Sequence, residues 1–246
     1  MIKNLEYKLI KGQKPTIVML HGWGMTKECF DIIIENINPK YQKLTLDFFG
    51  FGNSSEPYDY YDTYEYAYSI YILLCKLNIN DIVLVGHSFG GRVAIILSSI
   101  FNIKIHNLIL TSSAGINKFS LLKWLKVRIY KLKRWLNNHI KHVNFNLFNS
   151  GSEDYKSLNM LMKKVFVRVV NQDLKYLAKN ININTLLVWD KKDNITPFYI
   201  CKKLKTLINK SNIVLYKHGK HFVFIKNYNK FSSIINNVII NDNDIN

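Results

Sequence analysis

Short apolar runs alternate with longer amphipathic stretches along most of this chain. Thr16–Leu20, Lys43–Leu46, Asp81–Val85, Ile105–Thr111, Thr185–Trp189 and Asn212–Tyr216 are rich in Val, Ile, Leu and Thr. Several are closed by turn residues: Gly22 and Gly24 follow the first, Asp47 the second and Gly86 the third. Between them, Lys27–Asn36, Thr63–Leu77, Phe89–Phe101, Pro197–Ile208 and Tyr228–Ile240 carry helical patterns, with Pro197 well placed at a helix start. Continuous apolar strands separated by helices predict an α/β fold, a mostly parallel sheet flanked by helices on both faces. Ligands of such sheets sit beyond the carboxyl ends of the strands, so the residues just after each strand carry the functional weight.

One segment breaks the alternation. No strand pattern interrupts residues 115–184, where Leu121, Leu125, Ile129, Leu132 and Leu136 recur at three- and four-residue steps. Residues 1–114 and 185–246 are therefore expected to form one core, with 115–184 inserted as a helical cap. Lys123, Lys126, Arg128, Lys131, Lys133 and Arg134 surround the apolar stripe. They offer a seat for an anionic head group or a peripheral contact with an anionic membrane; a solvated face is the competing reading.

Composition narrows the class. A chain of 246 residues with 48% hydrophobic and 21% charged positions can bury a sizeable core. The N-terminus has no apolar signal region, and no long stretch free of Gly and charge predicts a membrane span. Cys29, Cys75 and Cys201 lie far apart and suit packed thiols in a reducing, cytoplasmic setting. The formal net charge of +17 invites a nucleic-acid reading, and no Asp or Glu occurs from Ile82 to Ser152. No nucleic-acid-binding motif accompanies it, so no nucleic-acid partner is expected. Phosphate-binding glycine loops, H-E-x-x-H and paired-cysteine motifs are absent as well, so neither cofactor nor metal is expected.

The candidate chemistry centres on Gly86-His87-Ser88-Phe89-Gly90. Gly-x-Ser-x-Gly alone is a weak signal, but here it joins the apolar run Ile82–Val85 to the helical run Arg92–Leu97. A sharp strand-to-helix turn strains the serine backbone and presents its Oγ at a helix N-terminus, where developing negative charge is favoured. Ser88 is the candidate nucleophile, and the backbone N–H of Phe89 is one candidate oxyanion donor.

With these residues the sequence resembles the α/β-hydrolase superfamily, specifically its small capped esterase-like members. The elbow Gly86–Gly91, the upstream His21-Gly22-Trp23-Gly24 and the turn Asp47-Phe48-Phe49-Gly50-Phe51-Gly52-Asn53-Ser54 occur in the family's order. The resemblance implies a second oxyanion donor at the Trp23 N–H, with His21 stabilising the loop and Asp47, Gly50, Gly52 and Ser54 shaping a turn. It also implies the order nucleophile, acid, histidine. His106 lies at a strand start, and His139 and His142 fall in the cap, which leaves His218 and His221. His221 is favoured because His221-Phe222-Val223-Phe224 resembles the family's pattern, although Lys220 replaces the Gly often found before the histidine. Among carboxylates, Glu153, Asp154 and Asp173 belong to the cap. The run Trp189–Pro197 resembles W-G-x-x-D-x-x-x-P, which puts the acid at Asp193 with Asp190 in the usual Gly position.

The resulting expectation is hydrolysis of a carboxylic ester through an acyl-enzyme, with a small-molecule ester or acyl substrate. Thioester or C–C bond hydrolysis on the same triad stays open, as does a non-catalytic ligand-binding protein on this fold.

Overall fold

The structure, a computed structural model, describes residues 4–117 and 157–243. The elements in chain order begin with β1 (Tyr7–Ile10), β2 (Gln13–Leu20), a 3-10 turn (Lys27–Phe30), α1 (Asp31–Ile34), β3 (Tyr41–Leu46) and α2 (Thr63–Lys76). They continue with β4 (Asp81–His87), α3 (Phe89–Ile100), β5 (Lys104–Thr111), α4 (Met160–Asn171), α5 (Lys175–Lys179) and β6 (Asn184–Trp189). The last are α6 (Phe198–Leu207), β7 (Ser211–Leu215), a 3-10 turn (Lys220–Phe222), α7 (Val223–Lys226) and α8 (Tyr228–Asn243).

Seven strands form one sheet in the order β1-β3-β2-β4-β5-β6-β7. Only β1 is antiparallel to its neighbour; every other pairing is parallel. Both faces of the sheet are covered, which explains why its strands read as unbroken apolar runs. Alternate residues enter opposite layers: Val18, Leu20, Leu84, Leu108, Leu110, Leu187 and Trp189 join one core with Tyr66, Ile70, Val93 and Leu204. Ile17, Met19, Val83, Val85, Ile109 and Val188 join the other with Phe30, Ile33, Phe224, Phe231 and Ile235.

The chain leaves β2 for β3 on one side and leaves β4 for β5 on the other, so the sheet's winding reverses between the adjacent strands β2 and β4. That switch point opens a crevice beyond their carboxyl ends. His21–Gly24 and Ser88 both emerge there.

Three local outcomes differ from expectation. β1 carries no distinct signal, because its four residues are half-exposed on an edge where Lys8 pairs with Asp31. The helix expected at Lys27–Asn36 is a 3-10 turn running into the single turn α1. No strand occurs between β5 and β6 among the described residues, but 118–156, which contain the predicted apolar stripe and its basic flank, lie outside them. Cys201 is buried, Cys29 is partly buried and Cys75 is exposed, so Cys75 is not the packed thiol expected. Among the described residues no helix is long and apolar enough to cross a membrane.

A buried lock fixes the β3 end of the crevice. Asp47 is fully buried and accepts from Lys27 Nζ (3.0 Å), Lys27 N–H (2.7 Å) and Asn53 N–H (3.0 Å). Ser54 Oγ–H donates to the Asp47 carbonyl at 2.6 Å, and a Cβ on Gly52 (φ +52°) would collide with the Asp47 carboxylate. The expected turn is thus built around a buried carboxylate whose removal would leave Lys27 paired only with the solvent-exposed Glu28 (2.9 Å). Asp47→Ala should cost about 3–5 kcal/mol in urea unfolding. Adding Lys27→Met should restore part of that loss; a double variant no more stable than Asp47→Ala would refute the pairing argument.

Candidate active site

The turn from β4 into α3 has almost no free volume. Ser88 adopts φ +50°, ψ −108°, a sparsely populated conformation costing about 1–3 kcal/mol. It persists because its neighbours fix it: Ser88 N–H donates to Thr111 O (3.2 Å), and Ser88 O accepts from Gly91 N–H (3.1 Å) and Ala114 N–H (3.0 Å). The glycines are required by contact. A Cβ on Gly86 would stand 2.7 Å from Gly90 O, and one on Gly90 would overlap the Leu20 carbonyl. Gly90 N–H instead donates to His21 O at 2.9 Å, tying α3 to the loop after β2.

That loop carries Trp23. Its ring meets Phe51 (4.9 Å between centroids), Phe89 (5.4 Å) and Phe166 of α4 (5.0 Å), all edge-on. Phe89 is the first residue of α3, so its N–H has no intrahelical acceptor. Ser88, Phe89, Trp23 and His221 line one cavity of about 580 Å³.

His221 follows β7 in the short 3-10 turn and is buried. Its Nδ1–H donates to Asp193 Oδ2 at 3.0 Å. A carboxylate only accepts, so this bond leaves Nε2 as the basic nitrogen. Asp193 Oδ1 accepts from Ile195 N–H and Thr196 N–H, both at 2.9 Å, and Thr196 Oγ1 lies 2.8 Å from Oδ2. Burial alone would raise the Asp193 carboxyl; hydrogen bonds from His221 and Thr196 outweigh it and hold the group below its usual range. Thr196 was not singled out from the sequence, although an Asp with Thr three residues later is a recognisable side-chain-to-backbone turn.

The other candidates are placed elsewhere. His218 is exposed, with φ +62°. His106 hydrogen-bonds Asp81 (2.6 Å) at the opposite end of the sheet. Asp173 pairs with Lys175 (2.8 Å), while His139, His142, Glu153 and Asp154 lie outside the described residues. Asp190 accepts from Lys192 N–H and Lys220 N–H, both at 2.9 Å. It caps its own turn and also holds the residue before His221. Among the described residues no group of three His, Cys, Asp or Glu could hold a metal.

Two further imidazoles support the floor. His21 Nδ1–H donates to Gly22 O (2.7 Å) while Nε2 accepts from Phe48 N–H (3.1 Å), the loop-stabilising role expected. His87 Nδ1–H donates to Thr111 O (3.1 Å), and its ring lies 4.8 Å from that of His221. Burial pushes His21 down to about 4. Burial, reinforced by His221, pushes His87 down to about 3.

A mostly parallel sheet with a strained serine at its switch point and a histidine–aspartate pair after the last two strands defines a class of fold. The model of the alpha/beta hydrolase fold matches residues 15–158, more than half the chain, and the chain belongs to that family. It is similar to the AB hydrolase superfamily protein YisY of Bacillus subtilis, at 23% identity over 91% of each chain. It is also similar to pimeloyl-[acyl-carrier protein] methyl ester esterase of Wigglesworthia glossinidia brevipalpis, at 25% identity over 95% of this chain and 97% of that one. Among solved structures, an esterase from Exiguobacterium antarcticum superposes with a TM-score of 0.74 at 20% identity, covering 96% of both chains.

The two buried imidazoles bind protons more weakly in the folded chain than in the unfolded one, where the ordinary value is 6.5. Their contribution is complete above pH 6.5 and is lost as pH falls toward 4, by up to about 1.4 kcal/mol per pH unit for each group. Urea midpoints measured from pH 7 to 4.5 should therefore decline. His87→Phe should make that decline shallower, and an unchanged slope would show that His87 is not the group responsible.

Proposed function

We propose that this chain is a serine hydrolase that cleaves a carboxylic ester through an acyl-enzyme. The observation that carries the reading is the shared cavity: strained Ser88 and His221 line it together, and buried Asp193 holds the far nitrogen of His221. The likeness to a methyl ester esterase supports an ester over a C–C bond.

In this mechanism His221 Nε2 removes the Ser88 proton as Oγ attacks the ester carbonyl. The negative charge moves to the carbonyl oxygen, where the N–H groups of Phe89 and Trp23 receive it. Each such donor contributes about 3 kcal/mol in related chemistry. The imidazolium then returns its proton to the departing alcohol as the C–O bond breaks, and Asp193 stabilises that cation without taking the proton. Water, deprotonated by His221, attacks the acyl-serine, and the imidazolium returns that proton to Ser88 Oγ as the acyl C–O bond breaks and the acid is released.

A fluorophosphonate probe should label the intact protein at Ser88, and Ser88→Ala should abolish both labelling and hydrolysis of p-nitrophenyl esters. Labelling that survives in Ser88→Ala would place the nucleophile elsewhere. Intact protein that resists the probe would favour a ligand-binding role. Thioesters of matched chain length, assayed alongside, separate ester from thioester preference.

A further inference from the structure

The cavity wall holds one formal charge that the proposed reaction does not use. Arg92 stands on α3 one turn beyond Ser88, so their Cα atoms are separated by about 6 Å along one side of the helix. Both residues line the cavity, which is otherwise aliphatic, aromatic or neutral polar; among the described lining residues there is no Asp, Glu or Lys. Arg92 is only 5% exposed. Burial draws it down to about 10, which leaves it protonated at neutral pH.

A buried guanidinium ordinarily meets a carboxylate, because an unpaired charge in a poorly solvated site is costly. Among the described residues Arg92 meets backbone carbonyls at the C-terminal end of α4: Nη1–H donates to Gln172 O at 2.9 Å and Nη2–H to Val170 O at 3.4 Å. Among the described residues it forms no ion pair; the nearby carboxylate of Asp173 acts on its charge but is itself paired with Lys175 at 2.8 Å. Nor do those carbonyls require a cation. Asn117 Nδ2 lies within 3.3 Å of Val170 O, 3.2 Å of Asn171 O and 3.1 Å of Gln172 O, so a neutral amide shares these carbonyls with Arg92. Among the described residues two of five guanidinium donors are engaged, on acceptors that have another partner, and Arg92 belongs to the wall of the reaction cavity.

We propose that Arg92 receives a carboxylate carried by the substrate, so that the preferred ester is anionic, with its carboxylate a few bonds from the scissile carbonyl. This deepens the ester-hydrolase reading and rests on it. The short separation of Arg92 from Ser88 selects small compounds: a half-ester of a short dicarboxylic acid, or an ester of a short hydroxy acid. A planar guanidinium suits a carboxylate because two parallel N–H···O bonds can form.

The test compares monomethyl glutarate and O-butyrylglycolate with neutral methyl pentanoate, following acid release in a pH-stat. Wild type should favour one anionic ester in kcat/KM, and which one tells whether the charge lies on the acyl or the alcohol side. In Arg92→Gln the ratio of anionic to neutral kcat/KM should fall about 10- to 100-fold, the range of a charge-assisted hydrogen bond. Arg92→Lys should fall between, since it keeps charge but loses the fork. Binding is read separately by calorimetry on Ser88→Ala, which should bind monomethyl glutarate or O-butyrylglycolate and lose that affinity when Arg92→Gln is added, with thermal melting confirming that the variants fold.

Hydrolysis of methyl pentanoate without preference for either anion would overturn the Arg92 assignment and leave the esterase reading intact. Calorimetric binding that depends on Arg92, in a protein that hydrolyses none of the three esters, would do the reverse. Absence of binding by both anions to Ser88→Ala would overturn the assignment whatever the activity.

Discussion

The close approach of α3 to the ends of β2 and β5 is the constraint on which the rest of the crevice depends. Gly90 lies so near the Leu20 carbonyl, and Gly91 so near the Ser113 side chain, that neither position has room for a Cβ. With the helix pressed this tightly against the sheet, the chain leaving β4 must turn within one residue. Ser88 absorbs that turn at φ +50°. The same proximity lets Gly90 N–H reach His21 O, so the Trp23 loop and the Ser88 turn are positioned by one bond between them. A looser contact would relax the serine and separate the two loops together.

Burial then decides the protonation states beneath the turn. His21 and His87 are neutral because desolvation disfavours their cations, and each directs a single proton to a carbonyl. His221 differs in its partner. Its proton points to a carboxylate that is itself held by three donors of its own loop, so an imidazolium there meets a ready anion. Of the three histidines, only His221 has a carboxylate as the partner of its ring nitrogen.

Much of this was legible in the sequence, for a physical reason. A sheet covered on both faces writes itself as unbroken apolar runs, and a turn with no room for side chains writes itself as glycines. Six of the seven strands and the elbow follow from those two rules. β1 escaped because an edge strand buries little and needs no such pattern. Arg92 and the neutral state of His87 escaped because they depend on contacts between segments far apart in the chain, which periodicity does not record, whereas the turn of Thr196 onto Asp193 is local and its signal is a short side-chain motif that hydrophobic periodicity also passes over.

The departures from the family pattern are the most instructive part. Asp190 stands where that pattern has a glycine, and Lys220 stands where a glycine often precedes the histidine. Taken singly, each looks like a defect. Lys220 takes φ +48°, a left-handed conformation that a glycine would adopt without strain. Its N–H donates to Asp190 Oδ2 at 2.9 Å, and Gly219 beside it is kept free of a side chain by Val223 Cα, which would lie 2.6 Å from a Cβ. The carboxylate that replaces one glycine therefore anchors the strained backbone that replaces the other. The two substitutions form a single device that fixes the approach of His221 to the crevice: Asp190→Gly alone should disturb His221, and adding Lys220→Gly, which holds the same backbone without strain, should undo part of that disturbance.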